Sequence, residues 1–225
     1  MIRRELVGLI PFMALVWSGQ AYAASPPATW DDLVLVKSKR FARAYVLPGA
    51  DFRPYSKVML DPTEVAFEKD WLKDYNRTTT SRVNRYSESD LHKAALEGGK
   101  AATEIFAKAF SEAGFPVVAE AGPDVIRLRT LIFNVRVTAP ELQTAGRSTT
   151  YADTAGSASV LIEFLDSATG AVLGRVVDSK VAGDAFMMMR NRVTNRSDFA
   201  VLGRRWAKSA VQGLQELRTR APINA

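Results

Sequence analysis

The sequence contains no cysteine and a single histidine, His92. Without cysteine the fold can rest on no disulfide, and the thiol that would carry a lipid anchor is excluded. One histidine rules out a multi-histidine metal site. Any histidine-based triad would depend on a residue near a helix start, where the helix dipole disfavours imidazolium, so His92 reads as a surface side chain. No Gly-x-Ser-x-Gly turn presents a serine nucleophile. Glycine-rich phosphate loops are missing as well, since Gly98-Gly99 falls inside a helical pattern and reads as a packing contact. These absences leave no metal, cofactor or complete catalytic set to expect.

Charge of one sign is also scarce: 30 Lys and Arg stand against 24 Asp and Glu, a net +6 in 225 residues. Basic residues are not clustered with interleaved aromatics, which argues against nucleic acid as a partner. A hydrophobic content of 47% with 24% charged residues fits an ordinary globular chain long enough for one proper core. The one long apolar run is N-terminal. Arg3 and Arg4 precede Leu6 to Trp17, and Ala21-Tyr22-Ala23 offers a small-x-small cleavage site. The run is shorter than the roughly 20 residues a membrane-spanning helix requires. Residues 1–23 therefore read as a signal peptide cleaved after Ala23, and the protein as exported, periplasmic and soluble. Its removal takes two arginines and one glutamate, lowering the charge from +6 to +5.

Along the remaining chain, residues 24–54 carry Pro26-Pro27, Trp30 and the turn Leu47-Pro48-Gly49, and are expected to form an extended arm. A single domain over 55–220 follows. Val58 to Leu60 read as a first core strand, stopped by Asp61-Pro62 because proline cannot donate to a ladder. Val65, Phe67 and Trp71 then alternate with charged residues as an amphipathic lead-out, followed by a polar loop over 76–85. Apolar and small residues at steps of three and four from Leu91 to Ala113 predict a helix over 90–113, with cap candidates in Ser87 to Asp90 and a stop at Gly114. Val125 to Val137 read as a long strand whose change of apolar phase near Arg129-Thr130 predicts a bulge there. Loops are expected over 138–157 and 183–195. Between them, alternation from Ala158 to Leu165, the turn Asp166 to Gly170 and the return from Val172 to Val181 predict an antiparallel hairpin. A closing helix spans 197–219. The order β-α-β-β-β-α predicts a two-layer α+β domain in which two helices cover a four-stranded, mostly antiparallel sheet.

Candidate functional residues fall into three groups. Asp61 and Glu64, with Glu68 and Asp70 nearby, are the carboxylates clustered beside a core strand, and Trp71 follows them as an aromatic contact. They suit partner contact, or acid–base roles if their environments differ. Arg77, Arg82 and Arg85 stand in the polar loop and suit an anionic glycan or lipid. Met187, Met188 and Met189 offer a soft apolar contact surface. Three consecutive residues of regular structure cannot all face one ion, which argues against Cu(I) there.

Several blocks together resemble a bacterial exported family known as domain of unknown function 3313. They are Pro48 to Phe52 with Tyr55, Lys57 to Pro62, Val65 to Trp71, Gly156 to Val160, Asp166 to Gly170, and Trp206, spanning nearly all of the chain after residue 23. Many members look like lipoproteins, a pattern from which this cysteine-free chain departs. The resemblance implies an envelope location and brings no catalytic residues with it. The sequence as a whole points to a non-enzymatic periplasmic module that binds an envelope protein or glycan. The alternative is a metal-independent hydrolase of an envelope polymer using Asp61 or Glu64.

Overall fold

Strand-forming runs that are apolar on one side need a cover, and here one layer of helices provides it. A computed structural model of the chain describes residues 27–79, 85–138, 150–152, 154–183, 188–190, 192–220 and 222. Its elements are β1 (Thr29–Trp30), β2 (Leu33–Val36), β3 (Arg43–Val46), β4 (Lys57–Leu60), β5 (Glu64–Phe67), α1 (Trp71–Thr78), α2 (Glu88–Glu112), β6 (Val125–Val137), β7 (Thr150–Ala152), β8 (Gly156–Asp166), β9 (Val172–Ala182), β10 (Met188–Arg190) and α3 (Arg192–Arg220). Eight strands form one mixed sheet in the order β1-β2-β3-β9-β8-β6-β4, with β5 also paired to β6. The α+β class therefore holds, while the expected four-stranded sheet with two helices is too small. Two features of the sequence hid the additional strands. The segment expected as an arm supplies β1 to β3, each too short to show a period, and β3 hydrogen-bonds along β9 from Arg43↔Val177 to Val46↔Gly174. The expected lead-out splits into β5 and α1, because thirteen-residue β6 is long enough to pair with β4 and β5 in succession. Both pairings are parallel, and the return through α1 and α2 makes the crossover that parallel strands require.

Helix α2 begins with a reciprocal capping box between Ser87 and Asp90. It sits unusually close to the link between β4 and β5: a Cβ added to Gly99 would lie 2.3 Å from the Thr63 carbonyl oxygen. Only glycine permits this approach. The Thr103 hydroxyl completes the join, accepting from the Thr63 amide at 2.8 Å and donating to the Gly99 carbonyl at 3.0 Å. The core lies between the sheet and α2 with α3, and Val58, Ile126, Leu128, Val160 and Ile162 meet Phe106, Phe110, Leu202, Trp206 and Leu214 there. The β8–β9 hairpin closes as expected, with Gly170 at φ 75°.

One expectation about β6 is corrected. Its irregularity lies between Phe133 and Arg136 and not at Arg129-Thr130, with Asn134 at φ 50°. Ile126, Leu128 and Thr130 all turn toward the helices and are buried, as is Val135 beyond the bulge. Leu131 and Phe133 are half-buried on the opposite face. An apolar residue on the face away from the described helices therefore mimicked a phase change that occurs four residues later.

Candidate interaction surface

Because β-strand side chains alternate, every second residue of the central strands turns away from the helices. On this second face the middle of the sheet is charged and nevertheless buried. Glu163 of β8 accepts from Arg175 Nε at 2.8 Å and from Arg129 Nε at 2.7 Å, so one carboxylate is shared by guanidinium groups of two flanking strands. Arg175 also donates through Nη1 to Asp31 at 2.9 Å, and its guanidinium lies 4.2 Å from the centre of the Trp30 ring. Asp31 adopts φ 55° in the tight β1–β2 turn, which turns its carboxylate back toward Arg175. Trp30 in turn meets Tyr45 edge to face at 5.6 Å, and the Tyr45 hydroxyl donates to the Pro27 carbonyl. The N-terminal strands are thus tied down by charge and ring contacts that the sequence places far apart.

The carboxylates singled out in the sequence have defined places. Asp61 accepts from Arg127 Nε at 2.8 Å, and Glu68 accepts from Arg136 Nη1 at 2.7 Å, so β6 arginines neutralise both. Glu64 is exposed on β5. Asp70 is exposed and immediately precedes α1. Trp71 is buried and is not displayed to a partner. It is the hub of a ring cluster: Tyr75 stacks on it at 5.4 Å with planes 10° apart, and Phe67 and Tyr86 approach at 5.5 and 6.2 Å. Its indole N–H donates to the Val137 carbonyl at 3.1 Å. The following residues are joined to the same mount, because the Asn76 side chain brackets the Tyr86 backbone at 2.8 and 3.0 Å.

Helix α1 is consequently fixed on its aromatic side and carries charge on the other. Asp70, Lys73 and Arg77 are exposed at helical spacing, Arg85 is exposed nearby, and Arg77 stands 3.4 Å from Asp74. Arg82 and Met187 lie outside the described residues, as do residues 1–23. Met188 and Met189 belong to β10, which pairs with β7 through Met188↔Ala152 and Met189↔Tyr151. Asp70 and Arg77 thus flank α1 at its two ends, Arg85 donates to the Thr79 carbonyl just beyond it, and Asp61 is engaged elsewhere by Arg127. The ion-paired clusters could not be read whole from sequence, because their partners are 12 to 144 residues apart.

A second polar cluster ties the hairpin to the rest of the domain. The Tyr55 hydroxyl donates to Asp166 Oδ2 at 2.7 Å, while the other oxygen of Asp166 accepts from the Ala168 and Thr169 amides and the Thr169 hydroxyl. Burial, and then the Asp166 carboxylate, raise the Tyr55 phenol far above its ordinary value. Partial burial of Asp166 acts upward, but the hydrogen bonds from Tyr55 and the turn outweigh it and hold the carboxyl below its ordinary value. Among the described residues no group of three His, Cys, Asp or Glu side chains could hold a metal ion, and no helix is long and apolar enough to cross a membrane.

Among curated proteins, none matches this chain. Similar solved structures include the PelC dodecamer from Paraburkholderia phytofirmans, at 15% identity over 76% of this chain and 96% of that one, with a TM-score of 0.39. A DUF330 protein from Xanthomonas campestris is 11% identical over 77% of this chain and 89% of its own, with a TM-score of 0.36. A DUF4136 family protein from Bacteroides thetaiotaomicron is 13% identical over 85% and 97%, with a TM-score of 0.32. The profile of the family described as "Protein of unknown function (DUF3313)" matches residues 32–210, and the chain belongs to that family.

Proposed function

We propose that the protein is an exported module of the bacterial cell envelope that binds a protein partner through the charged side of α1 and transforms no substrate. The observation that carries this reading is the aromatic mount: Trp71, Tyr75 and Tyr86 hold a short helix whose outer side presents Asp70, Lys73 and Arg77, with Arg85 beside it. A fixed backbone with exposed polar tips lowers the ordering cost of binding. Cations and a carboxylate standing together suit the mixed charges of a protein surface better than a polyanionic glycan, which calls for cations alone. Export is supported by Arg3 and Arg4, the apolar run Leu6 to Trp17 and the Ala21-Tyr22-Ala23 site. The hydrolase alternative draws no support from Asp61, whose carboxylate is engaged by Arg127.

A photo-crosslinking residue in place of Lys73, introduced into cells, tests the reading, with the same residue in place of Lys108 on α2 as control. One discrete protein adduct at position 73, absent at 108 and lost on Asp70→Lys with Arg77→Glu, is expected. Identical adducts at both positions, or a glycan adduct at 73, would overturn it. Fractionation tests export separately: the periplasm should hold a form cleaved after Ala23, and Arg3→Glu with Arg4→Glu should retain the full-length chain in the cytoplasm.

A further inference from the structure

The outer side of α3 gathers cations that pair with no carboxylate. Helical spacing places Arg204, Lys208, Gln212, Glu216 and Arg220 in one stripe at steps of four, with Arg205 beside it, and all of them but Gln212 are exposed. The buried Trp206, Ala207, Ala210 and Leu214 hold the opposite side of the helix on the core. Tertiary structure adds the β2–β3 connection to the stripe, because Arg40 donates through Nη1 to Gln212 at 2.6 Å and forms an ion pair with Glu216. The Arg40 hydrogen bond first, and then the charges of Arg40, Arg220 and Lys39, hold the Glu216 carboxyl below its ordinary value, so these cations stand around it. Of the two carboxylates in α3, Glu216 is thus neutralised and Asp198 is half-buried near the start of the helix. Arg204, Arg205 and Lys208 form no ion pair with any described residue. Neighbouring α2 differs: its three lysines are outnumbered by five carboxylates, and Lys108 stands 3.7 Å from Glu112. The helix dipole accounts for Arg218 and Arg220 in the last turn of α3, but not for Arg204, Arg205 and Lys208 in its middle.

We propose that the outer side of α3, together with the β2–β3 connection, binds the surface of an anionic phospholipid bilayer. Charge and shape select this occupant. From Arg204 to Arg220 the stripe is roughly 24 Å long at 1.5 Å per residue. Helix α2 lies alongside, with Ile105 3.5 Å from where a Gly203 Cβ would stand and Arg196 donating to Glu97 at 3.3 Å, so the helix layer presents a broad side and not a ridge. Arg205 and the β2–β3 connection lie to one side of Arg204 and Lys208, which spreads the cations over an area. An area of cations matches a plane of phosphates, whereas a single polyanionic chain is met by a line of them. No aromatic side chain stands in the stripe, so no platform is offered on which a sugar or base could stack, and binding rests on headgroup charge. The inference goes beyond the binding reading, since it uses a different surface and stands whatever meets α1.

Co-sedimentation of the purified protein with vesicles tests it. The protein should bind vesicles of phosphatidylcholine mixed with phosphatidylglycerol, should ignore vesicles of phosphatidylcholine alone, and should leave the mixed vesicles at high salt, where screening shortens the reach of charge to about 3 Å. Arg204→Glu with Lys208→Glu should weaken binding at least about twentyfold, since each basic residue near an anionic surface is worth about fivefold. Lys69→Glu with Lys93→Glu makes an equal change in net charge at exposed positions on other elements, and should stay within about threefold of the parent. A second measurement needs no charge reversal on α3, because the chain has no natural cysteine. A polarity-sensitive dye on Gln215→Cys should shift its emission on mixed vesicles, and the same dye on Lys93→Cys should not. Failure to bind mixed vesicles, equal binding to both kinds, indifference to Arg204→Glu with Lys208→Glu, or equal shifts from both dyes would each overturn the proposal. Tighter binding to soluble dextran sulfate than to mixed vesicles, at equal concentrations of anionic groups, would assign the stripe to a glycan and overturn it as well.

Discussion

The two faces of the central sheet are built on opposite principles. On the covered face, Val58, Ile126, Leu128, Val160 and Ile162 meet the apolar stripes of α2 and α3, and burial is gained by removing hydrocarbon from water. Asp178 intrudes there, satisfied by the Trp206 indole N–H at 3.0 Å and by the Ala42 amide at 3.3 Å. On the other face Glu163, Arg175 and Ser159 are buried beside the Tyr45 ring, and no helix described covers them. Charge can be buried in that position because each group finds its partner on the next strand: Glu163 is shared by Arg129 and Arg175. The comparison teaches that the helix layer supplies stability, whereas the uncovered face supplies fixed geometry. Desolvating an ion pair gains little net energy but makes its loss costly.

The largest expected effect tests the covered face. Phe106→Ala should cost about 3 to 5 kcal/mol in urea unfolding, because Phe106 is 1% exposed and its removal leaves a cavity between α2 and the sheet. A loss below about 1 kcal/mol would place it outside the core. Next, Arg175→Ala should cost about 3 kcal/mol by removing one partner of a buried pair and the clamp on Trp30 and Asp31. Arg175→Met combined with Glu163→Leu should cost much less, which would separate the penalty of an orphaned charge from the net value of the pair. Trp206→Phe follows, at about 1 to 3 kcal/mol, since it keeps a ring in the core but removes the indole donor from the buried Asp178.

The smallest effect is the most diagnostic. Tyr55→Phe should cost about 1 kcal/mol near neutral pH and flatten both ends of the stability profile. Asp166 is held below its ordinary 3.8, so its contribution is present above that value and is lost as pH falls through the lower folded value. The Tyr55 phenol is held above its ordinary 10.0, so its contribution is present below that value and is lost as pH rises toward the higher folded one. The parent's advantage should therefore shrink toward both extremes. Parallel profiles would show that the Tyr55–Asp166 hydrogen bond contributes nothing to the pH dependence.

Much of the covered face was legible from sequence, since apolar spacing specifies what one element buries. The helix expected over 90–113 is found over 88–112, the strand expected over 125–137 is found there, and the hairpin turns at Gly170 as its glycine required. Strands β1, β2, β3 and β5 were not legible, as two to four residues cannot establish a period. Neither was the pairing of Asp61 with Arg127 and of Glu68 with Arg136, because a carboxylate beside a core strand looks the same in sequence whether it is free or neutralised. The candidate site divided along the same line. Asp70, Arg77 and Arg85 remain exposed, but Trp71, expected with them as a contact, is instead the buried ring that holds the helix.

By itself, the sequence determined the class of the fold, the long elements and their buried sides, and the exclusion of disulfide and multi-histidine chemistry, because period, turn residues and composition are local properties. Only the tertiary structure decided the width of the sheet, the position of the β6 bulge, which carboxylates are neutralised, and the charged row at the centre of the uncovered face. Those features depend on which strands become neighbours, and neighbours as distant in sequence as Asp31 and Arg175 carry no periodic signal of their meeting.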